Sequence, residues 1–389
     1  MWAEMKFTGD RKTIMTIPRP AAVSQTPVSK LLVSLVATLA TALGAQAEPM
    51  RFDRDFAEAL EVLAPSERVE GSPGDMRITQ RSCRTLPRAG IRRRIVDIAV
   101  QEWGFFGFQV LDETKIVDSE RRHRRTRRRT PWLSPEESAR VAATIAGYWS
   151  ITADGGWILS RQNAVWKEGD GVAARWRDPW SAAFISWVMC EGGLGNANQF
   201  QRAIAHHAYI DQAIEARQTD ATQAAFLAFD VGEMPVEPGD LLCFSRRPVY
   251  RSIAERRRDL GTGIRSHCDL VVKVDVANER ILGIGGNVRG AVRLKLLPAV
   301  FEESPGTQPV VRSVGRSRLA VFAHLKLRAD SIETDAFENS ITMRLLNEQD
   351  DAFGSLIKQL QGERSISSDT VSTSSQPAKP PASAPQHLP

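Results

Sequence analysis

Hydrophobic residues recur at helical spacing through the first half of the chain. In IRRRIVDIAVQEW, residues 91–103, the three isoleucines and Ala99 share one face, which predicts an amphipathic helix. SPEE, residues 134–137, predicts the start of another helix that runs to about Trp149. Serine is a favourable N-cap, proline fits the first turn, and acidic side chains interact well with a helix N-terminus.

DPWSAAFISWVM repeats this start signal in a more hydrophobic context. Asp178 and Pro179 open the predicted helix, and the glycine pair at 192–193 ends it. A further helix is predicted over Ala197–Arg217. The chain up to about residue 217 is therefore predicted to be mainly helical.

Alternation replaces helical spacing near residue 235. PVEPGDLLCF, Pro235–Phe244, combines a proline-glycine turn with a short hydrophobic strand. Helices followed by an antiparallel meander predict the α+β fold class, with the N-terminal helices packed on an antiparallel β-sheet. The other stretches with a strand pattern are SHCDLVVKV (Ser266–Val274), RILGIGGNV (Arg280–Val288), AVRLKLL (Ala291–Leu297) and RLAVFAHLKL (Arg318–Leu327).

The N-terminal end has the composition of an export signal. SKLLVSLVATLATALGAQA, residues 29–47, has a lysine before a short apolar stretch and ends in small residues, which predicts a signal peptide over residues 1–47 with cleavage after Ala47. Met15 lies closer to this stretch and is the candidate true start. The alternative is an uncleaved membrane anchor. Cleavage would leave no stable membrane span and place the protein in the periplasm or outside the cell.

Composition divides the rest of the chain into four parts. Residues 48–90, punctuated by prolines and charges, are predicted to be a leader segment, and residues 91–328 form the predicted main domain. Residues 329–361 return to helical spacing. Residues 362–389 are rich in serine and proline and predict a disordered tail.

The positive charge of the chain is concentrated in one predicted loop. The formal net charge is +5, and RRHRRTRRR, Arg121–Arg129, alone contains seven arginines, so the rest of the chain carries −2. Attraction to an anionic envelope polymer would therefore be local to the Arg-rich loop, residues 115–131. A solvated surface loop is the simpler alternative. Nucleic acid is not favoured as a partner, because aromatic residues do not interleave the arginines.

The four cysteines do not have the spacing of a structural zinc site. An oxidising compartment permits one or two disulfides, and the sequence does not assign their pairing. Two of the cysteines lie on predicted neighbouring strands and are the first pair to test, with two buried thiols as the alternative. This pair is Cys243 and Cys268, and the others are Cys83 and Cys190.

Four motifs in order resemble those of a known hydrolase family. PWSAAFISWVM, PGDLLCF, SHCDLVVKV and ILGIGGNV are similar to the helix, turn and strands of the cysteine, histidine-dependent amidohydrolase/peptidase (CHAP-like) family. The resemblance covers roughly Asp178–Leu297 and implies a papain-like fold. The chain also resembles an uncharacterised bacterial family of exported proteins. The resemblance implies Ser181 at the nucleophile position, His267 as the general base and Asn287 as the group that orients the histidine.

Ser181 departs from the family pattern, which has a cysteine at this position. A helix N-terminus and an imidazolium can ionise a thiol, but a serine hydroxyl has too high a pKa and needs concerted proton removal by a histidine. Strand alternation places His267 and Asp269 on one face, about 6.6 Å apart. Asp269 is therefore a candidate to orient His267. The alternative, given equal weight, is that Asp269 is a structural, hydrogen-bonded acid near the end of the sheet.

Three further residues are candidates for substrate binding. His206 is predicted on the helix after Ser181 and would either border the cleft or lie on the helix surface. Trp176 and Trp180 flank the predicted nucleophile and would either line a groove or belong to the core. The histidines and Asp269 do not have the spacing of a metal site, and the sequence indicates no cofactor.

These observations predict an exported cell-envelope protein. As an enzyme it would hydrolyse amide bonds of peptidoglycan, with Ser181 attacking, His267 accepting the proton, and Asn287 or Asp269 orienting the ring. The alternative is a non-catalytic CHAP-like module that binds a peptide, a glycan or a protein partner.

Overall fold

The computed structural model describes residues 60, 62–115, 133–168, 171–173, 175–302, 310–315 and 321–348. All of them belong to one compact unit that begins at Met50. The predicted signal peptide, nearly all of the Arg-rich loop and the predicted disordered tail lie outside the described residues. None of the helices in the described ranges is long and apolar enough to cross a membrane.

Eight α-helices form in the described residues. The serine N-cap is confirmed, since Ser134 Oγ accepts a hydrogen bond from Glu137 N at 3.2 Å. The predicted helix from SPEE is interrupted at Val141. The helices are α1 (Ile91–Phe105), α2 (Pro135–Arg140), α3 (Ala142–Ser150), α4 (Gly155–Lys167), α5 (Ser181–Glu191), α6 (His207–Thr219), α7 (Ile253–Arg257) and α8 (Ile341–Asn347).

Two of these helices begin later than the sequence predicts. Helix α5 begins at Ser181, and the side chain of Asp178 lies 3.6 Å from Arg161 instead of capping the helix. Helix α6 begins at His207, ten residues after the predicted start at Ala197. Residues 201–206 between the two helices are extended or bent, and this segment brings His206 towards α5.

Eight strands form one mixed sheet, and a separate two-stranded sheet pairs β1 (Val69–Glu70) with β2 (Arg77–Ile78). The strands of the large sheet are β3 (Val110–Asp112), β4 (Phe226–Phe229), β5 (Leu241–Arg247), β6 (Arg265–Asp275), β7 (Arg280–Val288), β8 (Ala291–Glu302), β9 (Val310–Val314) and β10 (Ala323–Leu327). Their order is β3-β8-β7-β6-β5-β10-β4, and β9 pairs with β8. All pairs are antiparallel except β3 with β8.

The main hydrophobic core lies between the helices and one face of the sheet. Helix α5 packs on β6 and β7, and α1 packs on β6 and β8. Cys268, Leu270 and Val272 of β6 belong to this core, whereas Val271 belongs to a smaller cluster with side chains of β9. The α+β prediction is confirmed, and the sheet is mixed where the sequence predicted an antiparallel one.

Two disulfides connect all four cysteines. Cys243 of β5 lies directly opposite Cys268 of β6 and is bonded to it, with Cα atoms 4.1 Å apart. Cys83 is bonded to Cys190 at the end of α5. Both bonds are typical of exported proteins.

Candidate active site

Ser181 is hydrogen-bonded to a histidine that the sequence left ambiguous. Its Oγ lies 2.7 Å from His206 Nε2, at the first residue of α5. Both residues are buried, with 9% of Ser181 and 4% of His206 exposed. Among the described hydrogen bonds, Ser181 Oγ contacts His206 and not His267, the histidine that the sequence motifs imply.

His206 is held on both ring nitrogens. Its Nδ1 contacts the hydroxyl of Tyr209, one turn into α6, while Nε2 contacts Ser181. Burial, and then the charge of His267, lower the pKa of His206 well below its usual value. Burial, and then the charge of Asp269, raise the pKa of Tyr209 well above its usual value. Both groups are therefore neutral at pH 7, and the histidine can accept a proton.

Two proton arrangements satisfy this chain of hydrogen bonds. In the first, His206 Nδ1–H donates to the Tyr209 oxygen and Nε2 accepts from the Ser181 hydroxyl. In the second, the Tyr209 hydroxyl donates to Nδ1, and Nε2–H donates to Ser181 Oγ. The first arrangement has the form of a nucleophile with its general base.

His267 belongs to a second hydrogen-bonded group. Its Nε2 donates to Asp269 Oδ1 at 3.0 Å, and Lys295 Nζ of β8 donates to Asp269 Oδ2 at 2.5 Å. Burial opposes ionisation of Asp269, but the charges of Lys295 and His267 outweigh it and hold its pKa below the usual value. The ionised carboxylate fixes the proton on His267 Nε2, so Nδ1 is the nitrogen left to accept a proton.

The two groups meet through their histidine rings. The ring centroids of His206 and His267 are 5.2 Å apart, and Phe244 of β5 lies 5.3 Å from His267 on another side. The Lys295 ammonium lies 4.9 Å from the Phe244 ring centroid. Ser181, the two histidines and Asp269 therefore form one continuous buried cluster, which we call the Ser-His cluster.

The glycine pair of β7 makes room on both sides of the sheet. A Cβ at Gly285 would lie 2.3 Å from Asp269 Oδ1 and 2.9 Å from His267 Nε2. A Cβ at Gly286 would lie 2.6 Å from Cβ of Phe184 in α5. The first glycine lets the Ser-His cluster approach the strand, and the second lets α5 pack on it.

Asn287 lies beside a different feature, a small cleft with aromatic walls. It has a positive φ of 55°, and the described hydrogen-bond partner that orients the ring of His267 is Asp269, which accepts from Nε2. Trp176 and Trp180 also line this cleft. Trp180 is 1% exposed and stacks between Phe106 and Tyr148, so it belongs mainly to the core. Trp176 is partly buried, with its ring edge against Trp166.

Metal binding is not indicated in the described ranges, which contain no group of three or more histidine, cysteine or acidic side chains arranged to hold an ion. The cysteines are all in disulfides within the same ranges. The side chains of the Ser-His cluster are suited to proton transfer.

Sequence reasoning placed His267 and Asp269 together but gave no role to Tyr209 or Lys295. The alternation along β8 indicates which face of the sheet Lys295 lies on. Its contact with Asp269, however, depends on the register of β6 and β8, which pair with β7 from opposite sides. Tyr209 follows His206 by three residues, which is the spacing of helical neighbours.

One comparison with known proteins gives a match. Residues 136–307, less than half of the chain, match the model of a family described as an uncharacterized protein conserved in bacteria (DUF2272). The matched segment contains every residue of the Ser-His cluster. No curated protein and no solved structure matches the chain.

Proposed function

We propose that this protein hydrolyses amide bonds of cell-envelope peptides, in the first place those of peptidoglycan, with Ser181 as the nucleophile. The observation that carries the proposal is the hydrogen bond of 2.7 Å between Ser181 Oγ and His206 Nε2 at the start of α5. A hydroxyl and a neutral imidazole at this distance are the minimum for serine-based acyl transfer. The choice of peptidoglycan rests on the predicted export signal and on the resemblance to the CHAP-like family.

The proposed reaction has two stages. Ser181 Oγ attacks the amide carbon while His206 takes its proton, and His206 then gives that proton to the leaving amine as the C–N bond breaks. Water next attacks the acyl ester and gives a proton to His206, which passes it to Ser181 Oγ as the ester C–O bond breaks and the acid is released. The negative charge of Asp269 favours the protonated form of His206 and so assists each stage.

His267 is the second proposed base. The sequence resemblance implies His267 in this role, whereas the observed hydrogen bond favours His206. The Nδ1 atom of His267 is available because Asp269 holds its Nε2, an arrangement in which the carboxylate orients the ring, as in catalytic triads. The proposal includes a relationship between the fold of this domain and that of papain-like hydrolases.

A non-catalytic peptide-binding module is the second candidate, favoured by the burial of the serine. Only 9% of Ser181 is exposed, and the lowered pKa of His206 makes it a weak base. A cysteine at this position would gain most from the helix N-terminus and the imidazoles, and the serine gains little. In this case the protein would bind a peptide without cleaving it.

Release of peptides from purified peptidoglycan distinguishes the two candidates. The variants are Ser181→Ala, His206→Ala and His267→Ala, with Ser181→Cys to restore the thiol of the family. His207→Ala is the matched control, because this histidine is adjacent in sequence and has no contact with Ser181 among the described hydrogen bonds. We expect Ser181→Ala and His206→Ala each to lower the rate by about a thousandfold or more, and His207→Ala to leave it unchanged.

Each alternative result has a distinct meaning. An inactive wild type with an active Ser181→Cys variant would identify a binding module that lost its thiol. Loss of activity in His267→Ala but not in His206→Ala would assign the base to His267. Activity that persists in Ser181→Ala would reject the site.

A further inference from the structure

A buried arginine without a partner among the described residues lies on the same face of the sheet as His267 and Asp269. Arg293 of β8 is 8% exposed, and its Nε has no hydrogen-bond partner in the described part of the chain. The described ion pairs also leave its guanidinium unpaired. Buried arginines are normally paired, because removing a charge from water without compensation is costly.

The strand register places Arg293 on the same face of the sheet as Asp269. Arg293 is directly opposite Gly285 of β7, and Lys295 is directly opposite Gly283. Directly opposite residues share a face of the sheet. A Cβ on either glycine would meet Asp269, so the side chains of Arg293 and Lys295 leave β8 on the Asp269 side.

Asp269 does not neutralise Arg293. One carboxylate oxygen of Asp269 accepts from His267 and the other accepts from Lys295. Arg289, in the turn that precedes β8, is a second positive group close to Arg293. Burial, and next the charge of Arg289, lower the pKa of Arg293 to about 10, so the guanidinium is still protonated at neutral pH. The described residues around Arg293 therefore have an excess of positive charge.

We propose that Arg293 binds a carboxylate of the peptide substrate, on the same face of the sheet as the His267–Asp269 pair. A guanidinium presents two parallel N–H groups that match the two oxygens of a carboxylate. Peptide products and peptidoglycan stem peptides have free carboxylates. This inference rests on the proposed function, since it names the chemical group that the same site recognises.

Binding to a protein that cannot turn over tests the inference separately from catalysis. Calorimetry on the full-length Ser181→Ala protein compares a synthetic peptidoglycan stem peptide that has a free C-terminal carboxylate with the same peptide as a C-terminal amide. We expect the carboxylate peptide to bind about 10- to 100-fold more tightly than the amide peptide, because this is the gain in affinity that a hydrogen-bonded charge pair provides. Adding Arg293→Met should remove this difference and leave binding of the amide unchanged.

Arg280→Met is the matched control. Arg280 of β7 is also 8% exposed, but its Nε donates to Asp275 at 2.7 Å. The preference for the carboxylate peptide should persist in this variant. Equal binding of the two peptides, no binding of either, or a preference that survives Arg293→Met would each overturn the inference. If the preference is found while the wild type does not cleave peptidoglycan, the subsite stands and the proposed hydrolysis fails.

Thermal unfolding without peptide provides a second test. Because Arg293 is buried and has no ion-pair partner in the described part of the chain, Arg293→Met should raise the melting temperature, whereas Arg280→Met should lower it by breaking an ion pair. A lower melting temperature for Arg293→Met would show that another part of the chain neutralises this arginine, and the inference would be wrong.

Discussion

Replacing Lys295 with methionine tests the electrostatics of the Ser-His cluster directly. The Lys295 ammonium donates to Asp269 Oδ2 at 2.5 Å, and the two side chains are 5% and 1% exposed. Methionine keeps most of the side-chain length and removes the charge. The Asp269 carboxylate would then lie in the interior with His267 as its remaining described hydrogen-bond partner.

The burial of the pair sets the expected magnitude. Removing one partner of a buried ion pair costs about 3–5 kcal/mol, whereas an exposed pair contributes about 0–1 kcal/mol. Lys295 and Asp269 belong to the buried class, and the hydrogen bond that remains to His267 offsets about 1 kcal/mol of the loss. We therefore expect Lys295→Met to lower the free energy of unfolding by about 2–4 kcal/mol at pH 7.

The loss should depend on pH in a defined direction. The folded-state pKa of Asp269 is held below the unfolded value, so its contribution to stability is present above the unfolded pKa of 3.8 and is lost as pH falls through the folded pKa. Without Lys295, burial dominates and the folded pKa of Asp269 rises. The variant then regains stability relative to the wild type as Asp269 becomes protonated at acidic pH.

Urea unfolding followed by tryptophan fluorescence at pH 7 and at about pH 3.5 measures this difference. Lys115→Met is the control, since Lys115 pairs with Asp112 at 3.2 Å but its side chain is 69% exposed. The control should lose about 1 kcal/mol or less. The reasoning would be refuted if Lys295→Met lost no more than the control, or if its loss were the same at both pH values.

Three further predictions concern residues around the site. Replacing both Cys243 and Cys268 with alanine should lower the free energy of unfolding by about 3.5 kcal/mol, from the loop of 25 residues that the bond closes, as measured by urea unfolding without reductant. Gly285→Ala should destabilise the fold by about 1–3 kcal/mol in the same assay and abolish peptidoglycan cleavage, because its Cβ overlaps Asp269; an unchanged midpoint would contradict the packing. Burial opposes ionisation of Asp240, but the hydrogen bond and charge of His324 lower its pKa to about 2. The wild type should therefore lose about 2 kcal/mol between pH 4 and pH 2, and Asp240→Asn should show a flatter pH dependence of unfolding.

The strands show which elements the local sequence pattern can predict and which it cannot. The alternation in SHCDLVVKV predicted β6, and its first residues predicted that His267 and Asp269 share a face. They do, and they are hydrogen-bonded at 3.0 Å. By contrast, FLAF in β4 (Phe226–Phe229) was not predicted, because four residues without polar alternation give no periodic signal.

The hydrogen-bond partner of Ser181 could not be predicted from the local sequence pattern. His206 lies 25 residues further along the chain, and its position is set by the bent segment between α5 and α6. Asn287, which the family motif implied as the orienting group, lies at a strand end beside the aromatic cleft. Asn287 has a positive φ where the pairing of β7 with β8 shifts register, and strand periodicity does not reveal that irregularity.

The sequence by itself determined the α+β class, the start of α1 and the N-cap of α2, the strand that contains His267, and the shared face of His267 and Asp269. These features depend on neighbours within a few residues, through helical spacing, capping and alternation. The tertiary structure alone decided that His206 meets Ser181, that Lys295 neutralises Asp269 and that Arg293 has no partner among the described residues. These contacts depend on the register of β6, β7 and β8 and on how α5 packs against them, which no local spacing contains.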